Sequence, residues 1–146
     1  SDNNIQDKGL SVFCEHMEGN TTLRTLNLSK NFQTFTTMDL ICPLLQRAHI
    51  QKLALRGARM CDLDGLDLFT DLHAFHHLTD LDLEDNLLMQ SDYIISNLHN
   101  RTSLRVLNLR RNLILVTTSV QNLEQAWMFD PVDGRRNSRL LRDLFL

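Results

Sequence analysis

The chain contains no apolar stretch near the roughly 20 residues that a membrane-spanning helix needs, so no such span is expected. Its three cysteines, Cys14, Cys42 and Cys61, are an odd number at wide spacings. That excludes a disulfide framework and matches no zinc-ligand pattern, leaving reduced, mostly buried thiols as the expectation. A net charge of -3 gives no overall drive towards nucleic acid or an anionic membrane. The opening SDNNIQDKG is neither basic nor apolar, so no secretory signal is visible. There is no glycine-rich phosphate cradle and no nucleophile spaced with a base, so neither catalysis nor a cofactor is expected. At 146 residues the chain has the length of about one ordinary domain.

What the chain does have is concentrated in LTDLDLEDN, residues 78 to 86, where Asp80, Asp82, Glu84 and Asp85 crowd together. A calcium loop needs a Gly at its sixth position and a closing Glu at its twelfth. Counting from Asp80, those places hold Asp85 and Ser91, so the cation reading fails and no metal is expected there. The alternation of Leu78, Leu81 and Leu83 with polar residues is that of a half-buried strand.

The same alternation recurs. Leu23-Leu26-Leu28-Asn31, Ile50-Leu53-Leu55-Ala58, Leu78-Leu81-Leu83-Asn86 and Leu104-Leu107-Leu109-Asn112 align, with their last positions 27, 28 and 26 residues apart. Asn3 matches Asn31 one period earlier, and Leu141-Leu144-Leu146 matches the start of a further unit. Both ends therefore read as cut inside a repeat. Between the strand-like runs lie apolar stripes at spacings of three and four: Leu10, Phe13, Cys14 and Met17, then Met38, Ile41, Cys42 and Leu45.

This pattern resembles the leucine-rich repeat family, in its long, ribonuclease-inhibitor-like class. The Asn4 to Leu10 opening and the Asn20-Thr-Thr-Leu23 lead-in fit that class, while Ala58 departs from the repeat Asn. The resemblance implies an α/β solenoid, a right-handed β/α horseshoe segment with a parallel concave sheet and convex helices, over residues 1–146. One unit cannot bury both of its faces alone, so neighbouring units must stack. Asn3, Asn31, Asn86 and Asn112 are expected to bond the turning backbone after each strand. Pro43 is expected in the first turn of a late-starting helix, because Pro inside a helix costs about 3 kcal/mol. Leu104 to Leu141 is 37 residues instead of about 27, which places a non-repeat loop at 128–139.

Aligning the units arranges the concave side chains in columns: Thr25, Lys52, Asp80, Val106; Asn27, Ala54, Asp82, Asn108; Ser29, Arg56, Glu84, Arg110; and Lys30, Gly57, Asp85, Arg111. Equivalent residues on adjacent strands lie about 4.8 Å apart. One acidic strand is thus flanked by basic ones. An ion ladder Arg56–Glu84–Arg110 is one reading, and a charge-striped face for a protein partner is the other. The candidate contact residues are Arg24, Lys52, Arg56, Asp80, Asp82, Glu84, Arg105, Arg110 and Arg111. Asp82, between Ala54 and Asn108, is expected to be the least satisfied charge, hence the one that a basic partner would read.

His73 and His77 share a possible helix face but lack a third ligand fixed by spacing, and His49 is the equivalent of His77 one unit earlier. The sequons at Asn20 and Asn100 coincide with the turn before a strand, so the repeat already explains them; a third begins at Asn27. Cys14 and Cys42, on neighbouring helices about 8 to 10 Å apart, are too far apart for an unstrained disulfide. Trp127 completes a stripe with Leu123 and Ala126, next to the basic turn carrying Arg135, Arg136 and Arg139. Together these readings describe a non-catalytic, intracellular protein-interaction module with a protein partner, not nucleic acid or membrane. The alternatives are a targeting segment of a larger enzyme or nucleotide-driven receptor, an effector secreted into a host cell, and end-to-end self-association through uncapped termini.

Overall fold

The computed structural model describes residues 5–31, 37–90, 92–98, 103–114 and 143–145. Helices α1 (Asp7–His16), α2 (Thr37–Arg47), α3 (Asp62–Thr70) and α4 (Asp92–Leu98) alternate with strands β1 (Thr25–Asn27), β2 (Lys52–Ala54), β3 (Asp80–Asp82) and β4 (Val106–Asn108). A further strand, β5 (Asp143–Phe145), follows, and a short 3₁₀ turn, Asp71–Ala74, extends α3. The five strands form one parallel sheet in chain order. Leu26, Leu53, Leu81, Leu107 and Leu144 sit in one register row. A parallel sheet with helical crossovers is what stacked strand–helix units must make.

The strands are short because the leucines dictate where each one must bend. Leu26, Leu53, Leu81 and Leu107 point into the core, as do Leu28, Leu55, Leu83 and Leu109 two residues on. The backbone then turns through a left-handed residue in every unit: Lys30, Gly57, Asp85 and Arg111 have φ of 57°, 58°, 61° and 55°. Glycine takes this conformation freely, whereas other residues resist it. At Gly57 a Cβ would also lie 3.3 Å from Lys30 Cγ, whose side chain crosses that point.

The turn's polar groups are collected by the repeat asparagines, as the sequence predicted. Asn86, 3% exposed, accepts from the N–H groups of Ala58 (3.1 Å) and Met60 (3.0 Å). Its Nδ2 donates to the carbonyls of Leu55 (2.9 Å) and Leu83 (2.8 Å). Asn112 repeats this one unit on, accepting from Leu88 N–H at 3.1 Å and donating to Leu83 and Leu109. Asn31 accepts from Ile5 N–H at 3.3 Å. Each asparagine therefore ties its own turn to the preceding unit. The unit that carries Ala58 instead has a second left-handed residue, Arg59. Asn3 lies outside the described residues, as do Trp127 and the 128–139 segment.

Pro43 corrects one expectation: it is the seventh residue of α2, not part of its first turn. Pro43 has no N–H for the Asp39 carbonyl, and both residues lie on the exposed side of a helix whose other side, Met38, Ile41, Cys42, Leu44 and Leu45, is buried. Between α3 and α4 the packing is tight. A Cβ on Gly65 would lie 2.5 Å from Tyr93 Oη and 2.9 Å from Leu88 Cδ2. Tyr93 donates to Asp62 Oδ1 at 3.2 Å, and burial followed by the Asp62 charge pushes its phenol pKa upward. The same Asp62 oxygen accepts from Met89 N–H (2.8 Å) and Gln90 N–H (3.0 Å), clamping the start of α3 to the next unit. All three cysteines are free, but only Cys42 is buried; Cys14 and Cys61 are half-exposed, which corrects the expectation of mostly buried thiols.

Candidate functional site: the strand face

The strand residues between the leucines face away from the helices and line a depression of about 350 Å³ running across β1 to β4. Its floor includes Ala54, and Lys52, Asp80, Asp82, Asn108 and Arg110 stand around it. The register is the one the alignment predicted: Thr25, Lys52, Asp80 and Val106 in one row, and Asn27, Ala54, Asp82 and Asn108 in the next.

On this face the charges are tied together. Lys52 Nζ is 3.6 Å from Asp80 Oδ1. Arg56 reaches both carboxylates of the neighbouring strand region, Nη2 to Glu84 Oε2 at 2.7 Å and Nε to Asp82 Oδ2 at 3.7 Å. Glu84 receives a second cation from Arg111 Nε at 3.7 Å and a hydrogen bond from Asn108 Nδ2 at 3.1 Å. The Asn108 amide, and then Arg56 and Arg111, hold the Glu84 carboxyl below its usual pKa against the opposing effect of burial. The predicted Arg56–Glu84 rung is present, and its continuation reaches the next strand through Arg111.

Asp82 overturns its expectation. Its Oδ1 accepts from Glu84 N–H (3.1 Å) and from Asn108 Nδ2 (2.9 Å), while its Oδ2 faces Arg56. It is thoroughly partnered. The cause is a turn that the alignment contained but that was read only as charge. Asn27 accepts from Ser29 N–H (3.0 Å) and Asn108 from Arg110 N–H (3.2 Å), so this position caps the strand end in each unit that can do so. The exception, Ala54, has no side-chain oxygen, and the orphaned Arg56 N–H is accepted by Ser29 Oγ of the preceding unit at 3.1 Å. Sequence reasoning missed Ser29 and Asn108 as supporting residues; the recurrence of Asn or Asp at 27, 82 and 108 was the available signal.

Arg24 and Arg105 sit one residue before their strands and bond local carbonyls, Thr21 O at 2.5 Å and Leu104 O at 3.0 Å. They flank the face instead of joining its ion lattice. Asn20 caps Thr22 and Leu23 N–H (3.1 and 2.9 Å), the structural use that the repeat gives this Asn. His49 and His77 stack with centroids 4.3 Å apart, and His73 Nδ1 lies 3.0 Å from Thr70 O. Among the described residues no group of three or more His, Cys, Asp or Glu side chains could hold a metal ion.

A Leucine Rich repeat family model matches residues 1–14 and 19–31. That match falls on the units whose strand, turn and asparagine geometry has just been described, and the same geometry continues through Asn112. The chain has the leucine-rich-repeat fold. The C-terminal domain of tropomodulin from Caenorhabditis elegans has the same fold as this leucine-rich-repeat chain, with a TM-score of 0.74 at 15% identity. The alignment covers 94% of this chain and 81% of that one. No curated protein matches the sequence significantly. Leucine-rich-repeat solenoids use their curved faces as extended binding surfaces for other proteins.

Proposed function

We propose that the chain is a non-catalytic interaction module that receives a protein partner on its strand face. The observation that carries this reading is the depression over β1 to β4, where Lys52 is tied to Asp80, and Asp82 to the Arg56–Glu84 pair beside it, before any partner arrives. A surface whose side chains are already ordered has less rotamer freedom to lose on binding, and its charge stripes favour one partner orientation. Lys52, Arg56, Asp80, Glu84, Arg110 and Arg111 are the contact residues in this reading. Asp82 acts beneath them by holding the lattice, and Arg24 and Arg105 lie at its margin. The same reading places the protein inside cells, in keeping with three free thiols.

The test is quantitative affinity capture with the wild type and with a variant carrying Lys52→Ser, Arg110→Ser and Arg111→Ser, whose cations lie on the exposed surface. At least one captured protein should be lost while thermal unfolding stays cooperative. Identical capture by both chains would remove the strand face as the binding surface.

A further inference from the structure

The helical side of the solenoid carries a second surface with a different chemistry. Helices α2 and α3 lie side by side and leave a groove of about 460 Å³ between them. Its floor is Met38 and Cys42, 2% and 6% exposed, and its walls include Pro43 and Leu66. Leu66 is 42% exposed, an apolar side chain with one flank left open. Around this apolar trough stand Asp39, Asp67 and Asp71, and no Lys or Arg lines it.

Three negative charges and no positive one are an imbalance that the chain leaves standing. Among the described residues none of these carboxylates has a cation within 4 Å. The nearby Arg47 is held by Glu18 at 2.6 Å, on the side facing α1, and Asp71 receives only the neutral amide of Gln46 at 3.3 Å. The carboxylates converge on the same spot. Burial pushes the Cys42 thiol up to about 12, and Asp71, Asp67 and Asp39 all add to that rise. The groove thus offers apolar contact and negative charge together. An acidic segment or an anionic lipid surface would be repelled, and a purely polar cation would leave Leu66 uncovered.

We propose that the α2–α3 groove docks a basic amphipathic segment of a partner protein. One apolar side chain sits against Leu66 and Pro43, and Lys or Arg heads reach Asp39, Asp67 and Asp71 while their stems cover the walls. This site is separate from the strand face, so either can fail without the other.

The test uses labelled peptides of about 14 residues, roughly four helical turns, titrated by fluorescence anisotropy into the purified chain. One is built from Lys and Leu with helical amphipathic spacing, a second replaces its Leu by Ser, and a third replaces its Lys by Glu. The Lys/Leu peptide should bind saturably, and the other two should bind about tenfold more weakly or worse. The variant Asp39→Asn/Asp67→Asn/Asp71→Asn should weaken the Lys/Leu peptide about tenfold, and Leu66→Ser should weaken it severalfold. A variant with the same charge change elsewhere, Glu15→Gln/Asp85→Asn/Asp92→Asn, should shift it less than about twofold. Equal losses in the two triple variants, equal binding of the Lys/Leu and Lys/Ser peptides, or no saturable binding up to about 1 mM would each overturn the proposal. If the groove triple fails to unfold cooperatively, the exposed single change Asp67→Asn decides instead: a loss of about threefold supports the site and no change rejects it.

Discussion

Replacing Asn86 by Ala removes the fastener between the second and third units. Asn86 makes five hydrogen bonds, two accepted by Oδ1 from Ala58 and Met60 and three donated by Nδ2 to Leu55, Leu83 and Glu84 carbonyls. The bond to Glu84 O, at 3.4 Å, is weak, which leaves four good ones. Neutral bonds contribute about 0.5–1.5 kcal/mol each, and buried groups stripped of a partner cost more. With Asn86 only 3% exposed, water cannot easily take over, so the loss should be about 3–5 kcal/mol. That is a large fraction of the roughly 5–15 kcal/mol that holds an ordinary domain. Asn86→Asp should be no better, because a carboxylate keeps the acceptor, loses both strong donations and faces carbonyl oxygens. Urea denaturation followed by circular dichroism measures this as a lower midpoint at unchanged slope. A loss below about 1 kcal/mol for Asn86→Ala would show that the turn satisfies itself without the asparagine.

Asp82 should behave in the opposite way. Its essential task is to accept two hydrogen bonds, so Asp82→Asn should cost less than about 0.5 kcal/mol whereas Asp82→Ala should cost about 1–2 kcal/mol, compared by the same urea titration. Gly65→Ala should lose about 1–3 kcal/mol through the clash with Tyr93 Oη, and the partner change Tyr93→Phe should recover part of it. Glu84 is less readily protonated in the folded chain than its ordinary value of 4.5. Its contribution is therefore present above about pH 4.5 and lost as pH falls through the lower folded value; in acid titrations the stability gap between wild type and Glu84→Gln should narrow over that range. A thiol reagent at neutral pH should label Cys42 last, because that thiol is buried and its pKa is pushed up to about 12.

The repeat was legible because burial imposes the same choice in every unit. Leucines at fixed offsets and an asparagine after them can be read without coordinates, and the register rows Leu26 to Leu107 follow from the alignment alone. Asp82 was misread because alignment shows which residues are neighbours but not where their hydrogen bonds go. Its Oδ1 takes one bond along the chain, from the Glu84 N–H two residues on, and a second across the sheet from the Asn108 amide. Pro43 was displaced because packing overrides propensity: Met38, Ile41, Cys42, Leu44 and Leu45 are all buried along α2, and that burial outweighs the local cost of the proline. The α2–α3 groove was invisible because its two halves belong to different units and meet only when the helices stack.

Photo-crosslinking from the strand face is the most direct test of the central claim. With a photoreactive residue at Ala54, on the floor of the depression, and a control at Val12, exposed on α1, adducts are compared after irradiation with the captured partner. The account predicts a partner adduct from position 54 and none from position 12. An adduct from position 12 with none from position 54 would contradict it.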